Sequence, residues 1–268
     1  MRTTRVLARL AGLTAAAAWC TLSLPVFSQP LPQKCQQLDE RHTASQDAAG
    51  ALALAEGYLE RDDSPELRWR VGRAMHQQAM LPTTPAAQRL ALLTRAYAEI
   101  TNSKAELVGV RERAAALRWS GIVLSDLSAL QGTKATILAS YAIHSDFEEA
   151  LEVDPTDASA HHLLGQWCFK VATLGPWMRW LAASLYAEPP TSSLEEAREC
   201  FERAEELRPG FWLANQAMLA KCCAAQGEVE AARLWATKAC ALPVLTEDDR
   251  AHLLVAKQVL AALPARKE

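Results

Sequence analysis

Apolar side chains recur along most of this chain at the spacing of an amphipathic helix. One such stripe comprises Ala51, Leu52, Ala55, Tyr58 and Leu59. Alanine, leucine and glutamate are abundant, whereas glycine occurs only 11 times. A hydrophobic period near 3.6 built from strong helix-forming residues predicts α-helix rather than strand. We therefore predict an all-α protein.

Start and stop signals divide this pattern into separate helices. Ser64-Pro65 and Thr84-Pro85 each place a capping side chain before a proline at the first helical position. Thr246 and Asp249 resemble a capping box, with aspartate in place of the better glutamate. Further long helices are predicted at residues 114–130, 135–153, 211–225 and 228–241. The body should contain about ten helices.

Two of the predicted helices end in the same way. Ala197, Phe201, Ala204 and Pro209 follow one another at spacings of four, three and five residues, as at the end of the second helix of a tetratricopeptide repeat. Phe147, Ala150 and Pro155 repeat the last three of these positions. Leu164 and Gly165 stand where the first helix of such a repeat carries a Leu-Gly pair, and the glycine permits close helix approach.

The proline spacing predicts an insertion between the two helices of one repeat. Pro209 and Pro243 are 34 residues apart, which is one repeat period. Pro155 and Pro209 are 54 residues apart, and the excess of 20 matches the segment 174–193. We predict an irregular tetratricopeptide-like array of helical hairpins, an α-solenoid, over residues 43–264.

Residues 1–28 differ in character from the body. Arg2, Arg5 and Arg9 precede a stretch without charge from residue 10 to residue 27. This pattern fits a mitochondrial presequence, an uncleaved membrane anchor or a secretory signal. Residues 29–42 are rich in proline and glutamine, and we predict an extended spacer there.

Several motifs resemble the regulator of microtubule dynamics family over roughly residues 50–262. They comprise Leu67–Ala74, Leu164-Gly165 with Trp167-Cys168, Pro176-Trp177 with Arg179, Pro189–Ser193 and Leu242-Pro243 with Thr246–Asp249. The resemblance implies a non-catalytic helical-repeat adaptor associated with microtubules, spindle poles and organelle membranes. It favours an organelle-membrane anchor or mitochondrial targeting for residues 1–28.

The net charge of the body argues against some classes of binding partner. The net charge of −3 combines +4 in residues 1–38 with −7 in residues 39–268, where 24 basic side chains face 31 acidic ones. An acidic body argues against nucleic acid, because phosphate contacts require clustered lysine and arginine. The same charge opposes nonspecific binding to the acidic surface of a microtubule.

The sequence lacks the motifs of common catalytic sites and carries no cofactor motif. It has no phosphate-binding glycine loop, no Gly-x-Ser-x-Gly elbow and no His-Glu-x-x-His. His144-Ser145-Asp146 are consecutive on a helix and do not face one another. His161-His162 and Cys168 are two helical turns apart, too far to share a metal. The seven cysteines contain no Cys-x-x-Cys pair, so we predict reduced, buried thiols.

The insert is the best candidate for a functional site. Its candidate residues for a partner or a lipid are Trp177, Met178, Arg179, Trp180, Leu181, Leu185 and Tyr186. Two interpretations stay open at this point. The insert either folds back and becomes core, or lines a groove for a peptide, a lipid or a tubulin surface. In a groove Arg179 would suit an anionic group, and at the surface it would be solvated.

These patterns favour a binding protein over an enzyme. We expect an adaptor at microtubules in the cytoplasm, with a mitochondrial surface as a further location. A lipid-binding or lipid-transfer module is the alternative. A large apolar cavity would favour the lipid, and a shallow groove lined by asparagine, arginine and lysine would favour a peptide.

Overall fold

The computed structural model describes residues 29–44, 47–185 and 190–264, and every regular element within those ranges is an α-helix. The all-α prediction is confirmed. Twelve helices are described, which are α1 (Leu31–Ala44), α2 (Ala48–Leu59), α3 (Pro65–Met80), α4 (Ala86–Lys104), α5 (Val110–Gln131), α6 (Thr133–Val153), α7 (Ala158–Ala172), α8 (Pro176–Leu185), α9 (Leu194–Leu207), α10 (Leu213–Ala225), α11 (Val229–Ala241) and α12 (Glu247–Ala262). The two beyond the predicted ten are α1 and α8.

The predictions for residues 1–28 concern a segment outside the described residues. Among the helices that are described, none combines the length and the apolar character needed to cross a bilayer.

The extended spacer predicted for residues 29–42 is wrong, because helix α1 occupies most of it. Pro30 precedes the helix and Pro32 lies in its first turn, where a missing backbone N–H costs nothing. The glutamines that follow are good helix formers. Prolines that we interpreted as a sign of extended chain therefore mark the start of a helix.

The helices group into two units, α1–α4 and α5–α12. In the first unit, α3 and α4 form the main hairpin, and α1 and α2 pack on it. In the second unit, the hairpins are α5 with α6, α7 with α9, and α10 with α11, and α12 packs on the last of these. Helical hairpins are thus present as predicted, and their arrangement as one continuous solenoid stays a prediction.

A partly buried charge cluster attaches α1 to the rest of the first unit. Asp39 accepts two hydrogen bonds from Arg70, at 2.9 and 2.8 Å, and pairs with Arg73 at 2.9 Å. Both arginines are almost fully buried, and both lie against the ring of Trp69. Burial raises the pKa of Asp39, but the hydrogen bonds and charges of the two arginines outweigh it and hold the pKa below its usual value.

Close contact at one glycine closes each of three hairpins. A Cβ atom at Gly165 would lie 2.8 Å from Phe201 Cε1 and 3.1 Å from the carbonyl oxygen of Ala197. Gly121 meets the ring of Phe147 in the same way, and Gly72 meets Ile100. Because a side chain at these positions would push the helices apart, the predicted role of Gly165 is confirmed. Its partners Ala197, Phe201 and Ala204 are fully buried, and α9 ends two residues before Pro209.

The predicted helix starts are confirmed to within one residue, but not every predicted capping hydrogen bond is present. Thr246 and Asp249 form the expected capping box. Helix α3 begins at Pro65, but the Ser64 side chain makes no capping hydrogen bond. Helix α4 begins one residue later than predicted, after Pro85, and the Thr84 hydroxyl donates to the carbonyl oxygen of Gln78 instead.

We predict that Gly165→Ala lowers the free energy of unfolding by about 1–2 kcal/mol, since overpacking outweighs the gain in helix propensity. Gly175→Ala is the matched control, because a Cβ atom there meets nothing within 4 Å. Urea denaturation of both variants measures the difference. An unchanged or increased stability of Gly165→Ala would contradict the role of close packing.

We also predict that Asp39→Ala destabilises the protein by about 2–3 kcal/mol, because two buried arginines lose their shared carboxylate. The figure is reduced from that of a fully buried pair, since the Asp39 side chain is 42% exposed. Glu206→Ala, which breaks an exposed pair with Arg203, should change stability by less than about 1 kcal/mol. Equal effects of the two substitutions in thermal unfolding would show that the α1 cluster is not special.

Candidate functional site

The insert emerges from the hairpin of α7 and α9 and forms the short helix α8. The Arg179 guanidinium donates hydrogen bonds to the carbonyl oxygens of Ala172 and Leu174, each at 3.0 Å. These carbonyl groups lie at the end of α7, where backbone acceptors lack helical partners. Arg179 therefore fastens α8 to α7. Its side chain is nevertheless exposed, so the two hydrogen bonds leave both of our interpretations of this residue as predictions.

Two tryptophans project from α8 into solvent. Trp177 and Trp180 are 63% and 62% exposed, and their rings stack with centroids 5.3 Å apart. The other exposed residues of this helix are Pro176, Ala183 and Ser184, which carry no charge, and Arg179, which does. Neither tryptophan is therefore part of the core.

The opposite side of α8 is the side that packs on the protein. Ala182 is buried, and Met178, Leu181 and Leu185 are half-buried. Tyr186, the remaining candidate, lies outside the described residues. Helix α8 contacts α6. Its packed side is thus apolar, and its outer side presents a small aromatic surface beside the exposed Arg179, defined here as the tryptophan face (Trp177 and Trp180).

The first unit carries a polar groove. Its volume is about 890 Å³, and it is lined by Glu56, Leu59, Glu60, Asp63, Arg68, Arg95, Glu99, Asn102 and Glu106. Both arginines are paired within it. Arg68 binds Asp63 through two hydrogen bonds of 2.6 Å, and Arg95 binds Glu56 at 2.7 Å. Five carboxylates against two guanidinium groups leave the groove acidic.

A buried histidine joins three helices of the second unit. His162 is fully buried against the rings of Phe201 and Trp212. Its Nδ1 lies 3.0 Å from Asn215 Oδ1, while the Asn215 amide donates to the carbonyl oxygen of Phe201. His162 Nε2 has no hydrogen-bond partner among the described residues. Burial lowers the pKa of His162 to about 4, so the imidazole is neutral near pH 7.

The other histidines that we considered for chemistry make structural contacts. His144 pairs with Glu148, and its ring lies 4.1 Å from that of Trp167. His161 donates to the carbonyl oxygen of Pro155 rather than facing His162. Within the described ranges, no group of three or more histidine, cysteine, aspartate or glutamate side chains is placed to hold a metal ion.

Comparison with known proteins places these features in a family. The model of the family described as "Regulator of microtubule dynamics protein 1-3" matches residues 34–264. The chain belongs to this family. It is 34% identical over 206 residues to regulator of microtubule dynamics protein 1 of Mus musculus, covering 77% of this chain and 66% of the mouse protein.

Two further relatives belong to the same family and match a different share of each chain. The identity is 36% to regulator of microtubule dynamics protein 1 of Bos taurus, over 76% of this chain and 63% of that protein. It is 30% to regulator of microtubule dynamics protein 3 of Xenopus laevis, over 90% of this chain and 52% of that protein. The matched part of this family member thus spans about half to two thirds of its relatives.

Among solved structures the likeness is looser. YrrB, described as a TPR protein with an unusual peptide-binding site, is 15% identical and gives a TM-score of 0.44, over 87% of this chain and 92% of that one. MamA is also 15% identical and gives a TM-score of 0.42, over 75% of this chain and 91% of that one.

Sequence reasoning found the insert of this family member but missed the contacts that hold it. The hydrogen bonds of Arg179 depend on where α7 ends, and no local motif marks them. Asn215 is 53 residues from His162, so no spacing rule links the two. The groove in the first unit was also missed, because its acidic side chains come from α2, α4 and the segments that follow these two helices, and they resemble ordinary solvated surface.

We predict that the buried histidine makes folding of the second unit sensitive to acid. The unfolded chain takes up a proton near pH 6.5, whereas folded His162 does so only near pH 4, so stability is present above 6.5 and is lost as pH falls. The loss should reach about 2–3 kcal/mol by pH 4.5. His252 partly offsets this loss, because Asp248 raises its pKa and acid therefore favours the folded state at that residue.

The test compares the free energy of unfolding of the native chain and of His162→Gln between pH 7 and pH 4.5. The variant should begin less stable and lose less with acid, because its side chain does not titrate. If the free energy of unfolding of the two proteins fell equally with pH, the acid sensitivity could not be assigned to His162.

Proposed function

We propose that this chain is a non-catalytic helical-repeat adaptor that uses the tryptophan face of α8 to bind a protein partner at microtubules. The exposed, stacked pair of Trp177 and Trp180 is the observation that carries the proposal. The names of its relatives support microtubules as the place of action.

The tryptophan face has the chemistry of a binding anchor. Tryptophan is enriched among the few residues that supply most of the binding energy at protein interfaces, and it acts best when a partner covers it fully. Two such side chains, each more than 60% exposed, leave a large aromatic surface in water. The hydrogen bonds of Arg179 hold the helix that carries them, so little ordering is required on binding.

Charge determines what kind of contact can succeed. Residues 39–268 carry a net −7, which opposes the acidic surface of a microtubule. Attachment must therefore rest on apolar contact or on a bridging partner with basic side chains. The acidic groove of the first unit would favour such a basic segment, since its five carboxylates exceed its two arginines.

The proposed location is the cytoplasm, in association with microtubules. Residues 1–28 would add mitochondrial targeting or a membrane anchor, and this part of the proposal rests on their arginines and uncharged stretch.

A lipid-binding or lipid-transfer module is the second candidate, and the two exposed tryptophans beside the exposed Arg179 favour it. Exposed tryptophan suits the boundary between headgroups and acyl chains. The groove in the first unit adds nothing to this candidate, because its lining is polar and offers no chamber for an acyl chain. The lipid therefore ranks second.

We predict that Trp177→Ala with Trp180→Ala weakens co-sedimentation with microtubules by about 30-fold or more, as expected when an anchor worth about 2 kcal/mol is removed. Binding of the native chain should persist at physiological salt, because the contact is apolar. Stability should change by less than about 1.5 kcal/mol, since both side chains are exposed.

The matched control is Leu234→Ala with Leu254→Ala, which removes two apolar side chains that are 52% and 60% exposed on other helices. It should bind like the native chain. Retained binding by the tryptophan variant would contradict the proposal. Capture of neutral liposomes without microtubule binding, lost in the same variant, would put the lipid candidate first.

A further inference from the structure

Two cysteines face each other at the base of the insert. Cys168 lies on α7, one helical turn after Gly165 and on the same side of the helix. Cys200 lies on α9, next to Phe201. The glycine brings these two helices into close contact, since Phe201 and the carbonyl oxygen of Ala197 fill the space of its missing side chain. The two thiols thus come from helices held together by the hairpin contact itself.

The sulfur atoms of this pair interact directly. The Cys200 thiol is close enough to the sulfur of Cys168 to act on it as a hydrogen-bond donor when Cys168 ionises. That hydrogen bond lowers the pKa of Cys168, because it stabilises the thiolate more than burial destabilises it. The same contact raises the pKa of Cys200. Cys168 is therefore the more acidic of the two thiols.

The three other cysteines of the second unit differ from this pair. Cys222 and Cys223 are fully buried and adjacent on α10, so their side chains point in different directions. The Cys222 thiol donates to the carbonyl oxygen of Leu194. Cys240 is half-buried on α11. Cys200 is half-buried as well, and it is the more exposed member of the pair, since Cys168 is buried.

We propose that Cys168 and Cys200 are a redox modification site, which a hydroperoxide converts into a disulfide that links α7 to α9. The Cys168 thiolate attacks the peroxide oxygen, giving a sulfenic acid and releasing hydroxide when the oxidant is hydrogen peroxide. The Cys200 thiol then displaces water from the sulfenic sulfur and forms the S–S bond. The two thiols lose two electrons, and the peroxide is reduced to water.

A disulfide between Cys168 and Cys200 would restrict the opening of the insert. The disulfide encloses residues 169–199, which include the whole of α8 with its tryptophan face. Both ends of the insert would then be covalently joined at the base. A cross-link across a loop of this length restricts the unfolded and partly opened chain, so the oxidised insert should open less readily than the reduced one.

The test uses the full chain, treated with hydrogen peroxide, blocked with N-ethylmaleimide and digested with trypsin. Trypsin cleaves after Arg179, between the two cysteines, so a Cys168–Cys200 bond joins fragments that a reductant separates. Mass spectrometry should find this linked pair about 2 Da lighter than the sum of the reduced peptides, as the dominant disulfide. Cys200→Ser should abolish it, and Cys240→Ser, the matched control, should leave it unchanged.

In a second measurement, limited trypsin cleavage after Arg179 should be slower in the oxidised native chain than in the reduced one, and equal in oxidised and reduced Cys200→Ser. Recovery of Cys168 and Cys200 as free thiols under conditions that oxidise Cys240 would overturn the proposal. A dominant disulfide between any other pair would do the same. Neither result depends on microtubule binding, so this inference can fail while the proposed function stands.

Discussion

The structure depends on close packing between the two helices of three of its four described hairpins, at a position without a side chain. Gly72, Gly121 and Gly165 each receive a bulky residue from the facing helix, and no Cβ atom would fit at any of them without movement. Each glycine costs helix propensity, about 1 kcal/mol relative to alanine, and dispersion contacts with the buried ring or branched chain offset it. The same contact recurs in both units, which explains why hairpins of different sequence close alike.

A hairpin closed in this way can carry an insertion between its two helices. The segment 174–193 joins α7 to α9, and the Gly165–Phe201 contact lies outside it. The packed side of α8 and the hydrogen bonds of Arg179 fix the segment in place, and the tryptophan face stays exposed. Burial of one side and exposure of two aromatic rings on the other is the arrangement expected of a site rather than of a core filler.

Sequence alone predicted the elements whose causes are local. The Phe201 and Ala204 spacing, the capping box at Thr246 and the glycine at 165 depend on neighbours within a helix or on one repeat period. The failures have long-range causes. The prolines at the start of α1 predict extended chain, although a proline in the first turn does not disturb a helix. Only the contact of Asp39 with Arg70, 31 residues away, shows why α1 packs against the rest of the first unit. The bond of His162 to Asn215 is equally nonlocal.

The central claim is that α8 is the surface this family member uses for binding. Hydrogen–deuterium exchange of the full chain, with and without microtubules, tests it most directly because it reports on every helix at once. The account predicts slower exchange on binding in residues 176–185 and in the end of α7 that Arg179 holds. Unchanged exchange in α8, with protection confined to the groove between residues 56 and 106, would contradict it and move the binding site to the first unit.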